Sequence, residues 1–420
     1  MLHLSAWAQR LGRKSSGQTT ILLAAGTVVL LGCVGLAADV GSLRNIHQHM
    51  QSAADSAAVA AVQGVQTSQD TAQSNAIDDA KTNGFEDGKN GISVTVTPEG
   101  SSYEKVVISQ PEPTHFLKVL GLDSVQVSAS ASAHLGNSPY CVYALDPSAS
   151  GSFGTVTASG GATLSAKCGI IVDSDSSDAV KVNGGVSVIS ATQIGIVGSY
   201  TLAGGAVMTP TPRTHIVPSD DPLKNLAEPQ PGSCTPQTTT VNITSDTTLE
   251  PGTYCGDNNG NQPAIKVTGG ANVTFDKGIY VIDGGGIQLG GGGAITGTGV
   301  TIFNTFDSSH SYGSINITGN GTVTLSAPTS GYYEGILFMD DRNAPPTSSG
   351  SKIAGDSASV YNGVLYFPDS SLTFTGNSIT KGSYTILVAD QITLSGASQL
   401  NDDYSMLADG SPIKGAALAE

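Results

Sequence analysis

Acidic, thiol and imidazole side chains set the limits of what chemistry this 420-residue chain could perform. The run Phe338-Met-Asp-Asp-Arg342 holds Asp340, Asp341 and Arg342, and Asp402 and Asp403 form a second acidic pair. Clustered carboxylates are what polysaccharide lyases and hydrolases use to give and take protons. Neither group has a partner carboxylate identifiable by spacing, so both read as solvated strand-end acids. Asp173, Asp175 and Asp178 begin like a Ca²⁺ loop. The glycine of loop position six and the distal glutamate are absent, and the segment reads as a surface turn. Gly284–Gly293 is glycine-rich but no Gly-Lys-Ser/Thr follows, so it is read as tight corners and not as a phosphate cradle. His47 and His49 are two positions apart and point to different faces of a helix. With no G-x-S-x-G and no H-E-x-x-H, no catalytic residue, metal or cofactor is assigned.

The thiols are more informative. Cys33 lies in an apolar run, and Cys141, Cys168, Cys234 and Cys255 all follow it. An even number of cysteines in an exported segment reads as two disulfides. Pairing 141 with 168 and 234 with 255 is favoured among three connectivities because each closes a short loop. A metal site is disfavoured, since there is no C-x-x-C and no histidine within a few residues of the four.

These residues are positioned by what precedes them. Thr19–Ala38, TTILLAAGTVVLLGCVGLAA, carries no charge and as a helix crosses a hydrocarbon core of roughly 30 Å. Arg10, Arg13 and Lys14 sit in a basic leader, residues 1–18, without an acidic neighbour. Basic flanks stay cytoplasmic. The chain is therefore expected as a single-pass protein of the bacterial inner membrane, with its C-terminal part periplasmic or extracellular. Gly17 precedes the run as at a prepilin-type cleavage site, but the fifth residue after it is Leu22 and not Glu, which favours a retained anchor. A net charge of −16, with three of the basic residues in the leader, excludes a nucleic-acid partner.

After the span, Val40, Leu43, Ile46, Met50, Ala53, Ala54, Ala57, Ala58 and Ala61 recur at helical spacing, predicting one helix continuing to about Val65. Its alanine stripe lets another element approach closely, either the protein's own sheet or a neighbouring subunit. Beyond it, Gly91–Thr97, Lys105–Ser109 and Val125–Ala133 alternate as strands, with a short helix over His115–Leu120.

The residues Gly35-Leu36-Ala37-Ala38-Asp39-Val40-Gly41 and Met50-Gln51-Ser52-Ala53-Ala54-Asp55-Ser56-Ala57-Ala58-Val59-Ala60 resemble, in order and place, the N-terminal region of TadG/TadE-like Flp pilus-assembly proteins. The likeness extends through Pro113–Leu122 and Val125–Ala133. It implies a bitopic envelope protein linked to tight-adherence pili, with Gly35, Asp39, Gly41, Met50, Gln51, Ala53, Ala54, Asp55, Ala57, Ala58 and Ala61 as motif and helix-interface residues. Other pilus-assembly or secretion subunits are the implied partners.

From Gly151 the pattern apolar, any, apolar, small polar, Gly recurs, as in Val156–Gly160, Val180–Gly184, Ile265–Gly269, Ile315–Gly319, Leu372–Gly376 and Ile392–Gly396. A second short run follows many copies, as in Gly169–Val172, Gly278–Val281, Gly299–Ile302, Gly335–Phe338 and Gly363–Tyr366. Short strands repeating near 20 residues read as coils of a right-handed parallel β-helix; a β-sandwich is the alternative. Thr209–Thr239, with seven of the 19 prolines, should be an irregular excursion ending near Cys234.

The expected order is a leader (1–18), a transmembrane helix (19–38), a small pilin-like α+β domain (39–138) and an all-β parallel β-helix (139–420) with a Pro-rich insertion (209–239). The expected function is a non-enzymatic, membrane-anchored envelope protein of pilus assembly or surface adhesion. The competing reading is a membrane-tethered module that binds or degrades polysaccharide, with surface glycans as partners.

Overall fold

The computed structural model describes residues 16–65, 68–100, 102–155, 162–183, 187–234, 240–257, 262–318, 321–345, 350–355, 358–376 and 382–419. Residues 1–15 of the leader and the repeat Val156–Gly160 lie outside the described residues. The chain divides into two units, residues 1–136 with 415–420, and residues 137–414.

The first unit is built on one 50-residue helix, α1 (Ser16–Val65). Its N-terminal half is bare: Ile21, Leu23, Leu30 and Val34 are all exposed. Its second half buries Met50, Ala53, Ala54, Ala57, Ala58, Ala61 and Val62, as the three- and four-residue spacing dictates. A second helix, α2 (Gln69–Thr82), starts at Ser68, whose hydroxyl accepts the Thr71 amide, and buries Ala72, Ala76 and Ala80. Three antiparallel strands, β1 (Ser93–Pro98), β2 (Tyr103–Pro113) and β3 (Ser124–Asn137), cover the alanine stripe. Val94, Val106, Ile108, Val127, Ala129 and Ala133 close its core. The last strand, Lys414–Leu418, joins this sheet beside β3. The C-terminal residues expected in the β-helix therefore return to the first unit, which the second interrupts.

The second unit is a β-solenoid of about nine turns. Neighbouring coils pair in parallel, so the β-sandwich alternative does not apply. The two repeat patterns separate onto two faces. The first supplies ladders such as Ile265, Ile287 and Ile315, and Leu372, Ile392 and Phe153. The second supplies Tyr280, Ile302 and Phe338, and Leu387, Val142 and Ile170. Val, Ile, Leu and Phe point inward on both, and each coil buries the apolar residues of the next. Gly284–Gly286 turn a coil corner with positive φ at all three.

The coils do not stack in sequence order. From Tyr140–Ala144 the chain winds through Gly169–Val172 and Ile194–Ile196 to Arg213–Thr214. It then resumes at Val241–Ile243 and Gly252–Cys255, at the opposite end of the stack, and winds back through successive coils to Thr385–Leu400. That last strand pairs with Val142–Ala144, Phe153–Thr155 and Thr163–Ala166, the first strands of the unit. The Pro-rich segment is thus no local excursion. It is the crossover that returns the chain along the solenoid, over nine strand spacings of about 4.8 Å each, roughly 43 Å.

Candidate functional site

The family motif builds one defined site at the C-terminal end of the apolar run. Between Thr19 and Gly41 only Gly35 and Asp39, one helical turn apart, are buried. Both face the loop joining β2 to β3. The Asp39 carboxylate accepts the amides of His115 (3.1 Å), Phe116 (2.8 Å) and Leu117 (2.7 Å), capping the 3₁₀ turn Leu117–Leu120 as an N-cap residue would, but from another element. The Leu117 amide, above all, holds the Asp39 carboxyl below the usual carboxylate range. At Gly35 the Phe116 ring comes so close to the backbone that a methyl group would overlap ring carbons. The loop is closed by the Thr114 hydroxyl on the Leu122 carbonyl and by Gly121 in the left-handed region.

The remaining motif residues act within the same unit. Gln51 donates to Asp55 (2.8 Å) and to the Ser130 carbonyl of β3 (3.0 Å), joining helix to sheet. Met50, Ala53, Ala54, Ala57, Ala58 and Ala61 are at most 1% exposed. Of the two readings of the stripe, packing on the protein's own sheet is the one observed, and it leaves the stripe unavailable to a neighbouring subunit. A side chain at Gly41 would meet open space, and nothing in the structure explains the glycine there. His47 and His49 are exposed.

In the solenoid the acids expected as solvated are mostly engaged. Asp340 is fully buried and accepts Asn304 (2.7 Å), Tyr312 (2.7 Å) and Ser370 (2.6 Å). Burial pushes its carboxyl up to about 7. Asp341 accepts from Thr305 and the Asn343 amide. Arg342 donates to the carbonyls of Leu223 (2.6 Å) and Leu226 (2.8 Å), pairs with Glu228 (3.3 Å) and reaches Tyr366, which itself bonds Asp221. Asp173 accepts the amide and hydroxyl of Ser219. These contacts, with Ala227 on Tyr332 and Tyr333 and Gly232 on Thr253, fasten the crossover from coil to coil. Asp178 turns away to Lys181 (2.6 Å), which holds it down to about 2, and Asp175 is exposed, so no cation loop forms. Asp402 and Asp403 are exposed.

Disulfides join Cys141 to Cys168 and Cys234 to Cys255, the first linking adjacent coils and the second ending the crossover; Cys33 is free and exposed. Beside the second lies a group that spacing could not find. His310 Nδ1 stands 3.2 Å from buried Asp283 and 3.1 Å from Asp307, within reach of both sulfurs. The three offer the nitrogen and oxygen donors a divalent cation could use. The coil register brings them together, with Asp283 between Cys255 on one side and Thr305, which leads into Asp307 and His310, on the other.

No curated protein and no solved structure matches the chain. A family model does match, over the helix that carries Asp39: residues 17–64 are similar to the family described as "Putative Flp pilus-assembly TadE/G-like" (Tad).

Proposed function

We propose that this protein is a membrane-anchored, extracytoplasmic component of Flp-type pilus assembly or surface adhesion, and that it works by presentation and not by catalysis. The observation that carries the reading is the Asp39 site. The TadE/G-like residues that resemble the family motif tie the last turn of the apolar run to the loop of a small α+β, pilin-like domain. The apolar helix is long enough to cross a membrane, and the basic leader favours a cytoplasmic N-terminus. On this reading the solenoid is the part offered to the outside, and pilus-assembly or secretion subunits are the partners.

The test uses the full-length protein in its own envelope. It should stay in the membrane pellet through alkaline extraction, be cut by protease only from the outer side, and co-purify with pilus-assembly subunits. Recovery as a soluble protein with reduced thiols would end the proposal. A screen of the detergent-purified chain against acidic and neutral glycans separates the tethered enzyme: oligosaccharide release that disappears in Asp341→Asn would replace this reading.

A further inference from the structure

The loop that Asp39 holds has an unusual surface. Val119 and Leu120 are 85% and 77% exposed, and Phe116 and Leu122 are each 51% exposed. Four large apolar side chains within seven residues, none packed into a core, form a patch of the kind that marks an interaction surface. Its placement names the partner. The loop's amides sit on Asp39, directly after the apolar run, and the Phe116 ring reaches Gly35, one turn or about 6 Å deeper along the helix. The patch is therefore continuous with the exposed apolar surface of Ile21–Leu36. A helix that spans a bilayer immerses that surface in lipid, and whatever is fastened at Gly35 goes in with it.

We infer that Phe116, Val119, Leu120 and Leu122 form a second membrane contact, a knuckle seated in the outer leaflet beside the span. This rests on the reading of residues 19–38 as transmembrane. The polar parts agree with the location. Asp39, the one acid at this level of the helix, has its carboxylate covered by three amides, which removes the need for water at a lipid boundary. Lys118 is exposed and sits 3.6 Å from Asp123 at the loop's outer edge, in reach of headgroups. The capped 3₁₀ turn presents its side chains without a core of its own, so the apolar surface is pre-arranged for insertion. A second, independent contact would stop the small domain from swivelling about a single helix.

The chain has one tryptophan, Trp7, so a Trp7→Phe background allows single reporters. Val119→Trp, Leu31→Trp in the span and Val207→Trp on the solenoid surface would be compared in full-length protein reconstituted in zwitterionic vesicles with brominated acyl chains. The expected result is blue-shifted, bromine-quenched emission at 119 and 31, and red-shifted, unquenched emission at 207. Quenching at 31 with water-like emission at 119 overturns the knuckle and leaves the anchor standing. Blue-shifted emission at 119 without bromine quenching also overturns it, in favour of a protein partner. No quenching at 31 removes the transmembrane reading and the knuckle together. Val119 is exposed, so unchanged circular dichroism serves as the control for folding.

Discussion

Asp39 is a single carboxylate that organises three backbone donors of a distant loop, and its removal should be felt there first. In Asp39→Ala the amides of His115, Phe116 and Leu117 lose their acceptor, and hydrogen exchange at these positions should rise while the solenoid stays protected. The pH dependence has a definite sign. A carboxyl held low in the folded state contributes stability that is fully present above its unfolded value of about 3.9 and is lost as pH falls through the lower folded value. The loop should therefore loosen only in acid. Asp340 has the opposite sign. Its folded value of about 7 lies above the unfolded one, so the native state binds the extra proton and stability declines as pH rises from about 4 to 7. Asp340→Asn should flatten that slope in a melting-temperature series, since an amide meets Asn304, Tyr312 and Ser370 without charge. The sequence marked Asp340, Asp341 and Arg342 as notable but not why. Their partners come from Asn304, Ser370 and the crossover, and no local pattern announces such distant contacts.

The helix α1 joins an exposed oily half to a buried alanine half. The alanine half was readable because its period is simple, but its partner was not. The sequence allowed the stripe to face a neighbouring subunit, and only the strand pairing shows it covered from within. Lysine at Ala58 should accordingly unfold the small domain, by about 3 kcal/mol or more, as an unpaired charge in a closed core. Calorimetry should show this transition lowered and that of the solenoid unmoved. Gly64 permits the closest approach to α2, since a side chain there would strike the Ala72 backbone. Gly64→Leu should cost about 1–3 kcal/mol by forcing the helices apart. The helix α2 itself was not legible. Its buried residues are alanines, and Ile77 is the one large apolar residue in the segment, so its apolar signal is weak. The short helix expected at His115–Leu120 is a 3₁₀ turn; β2 and β3 are longer than expected because they continue through polar residues, whereas β1 begins two residues later, at Ser93.

In the whole molecule, short Gly-punctuated strands announced the solenoid, since periodicity is a local property; the order of its coils is global and left no trace in the repeats. The crossover gives a direct test. One protease cut between Glu228 and Gly232 should leave coils 140–214 and 241–413 together under native conditions, through the pairing of Leu387 with Val142 and Ile392 with Phe153. Under denaturing, non-reducing conditions they should separate, because each disulfide lies within one fragment. The junction joins residues far apart in the chain: Gln391 bonds Asp146, 245 positions earlier. A nascent chain therefore makes its first coils with an open edge, which stays unpaired until Thr385–Leu400 has been synthesised. Such long-range closure is slow and exposes a template for wrong pairing. The seam at Val142, and not either tip, is where a holdase would be needed, and a ribosome stalled before residue 385 should display a protease-sensitive, incomplete stack.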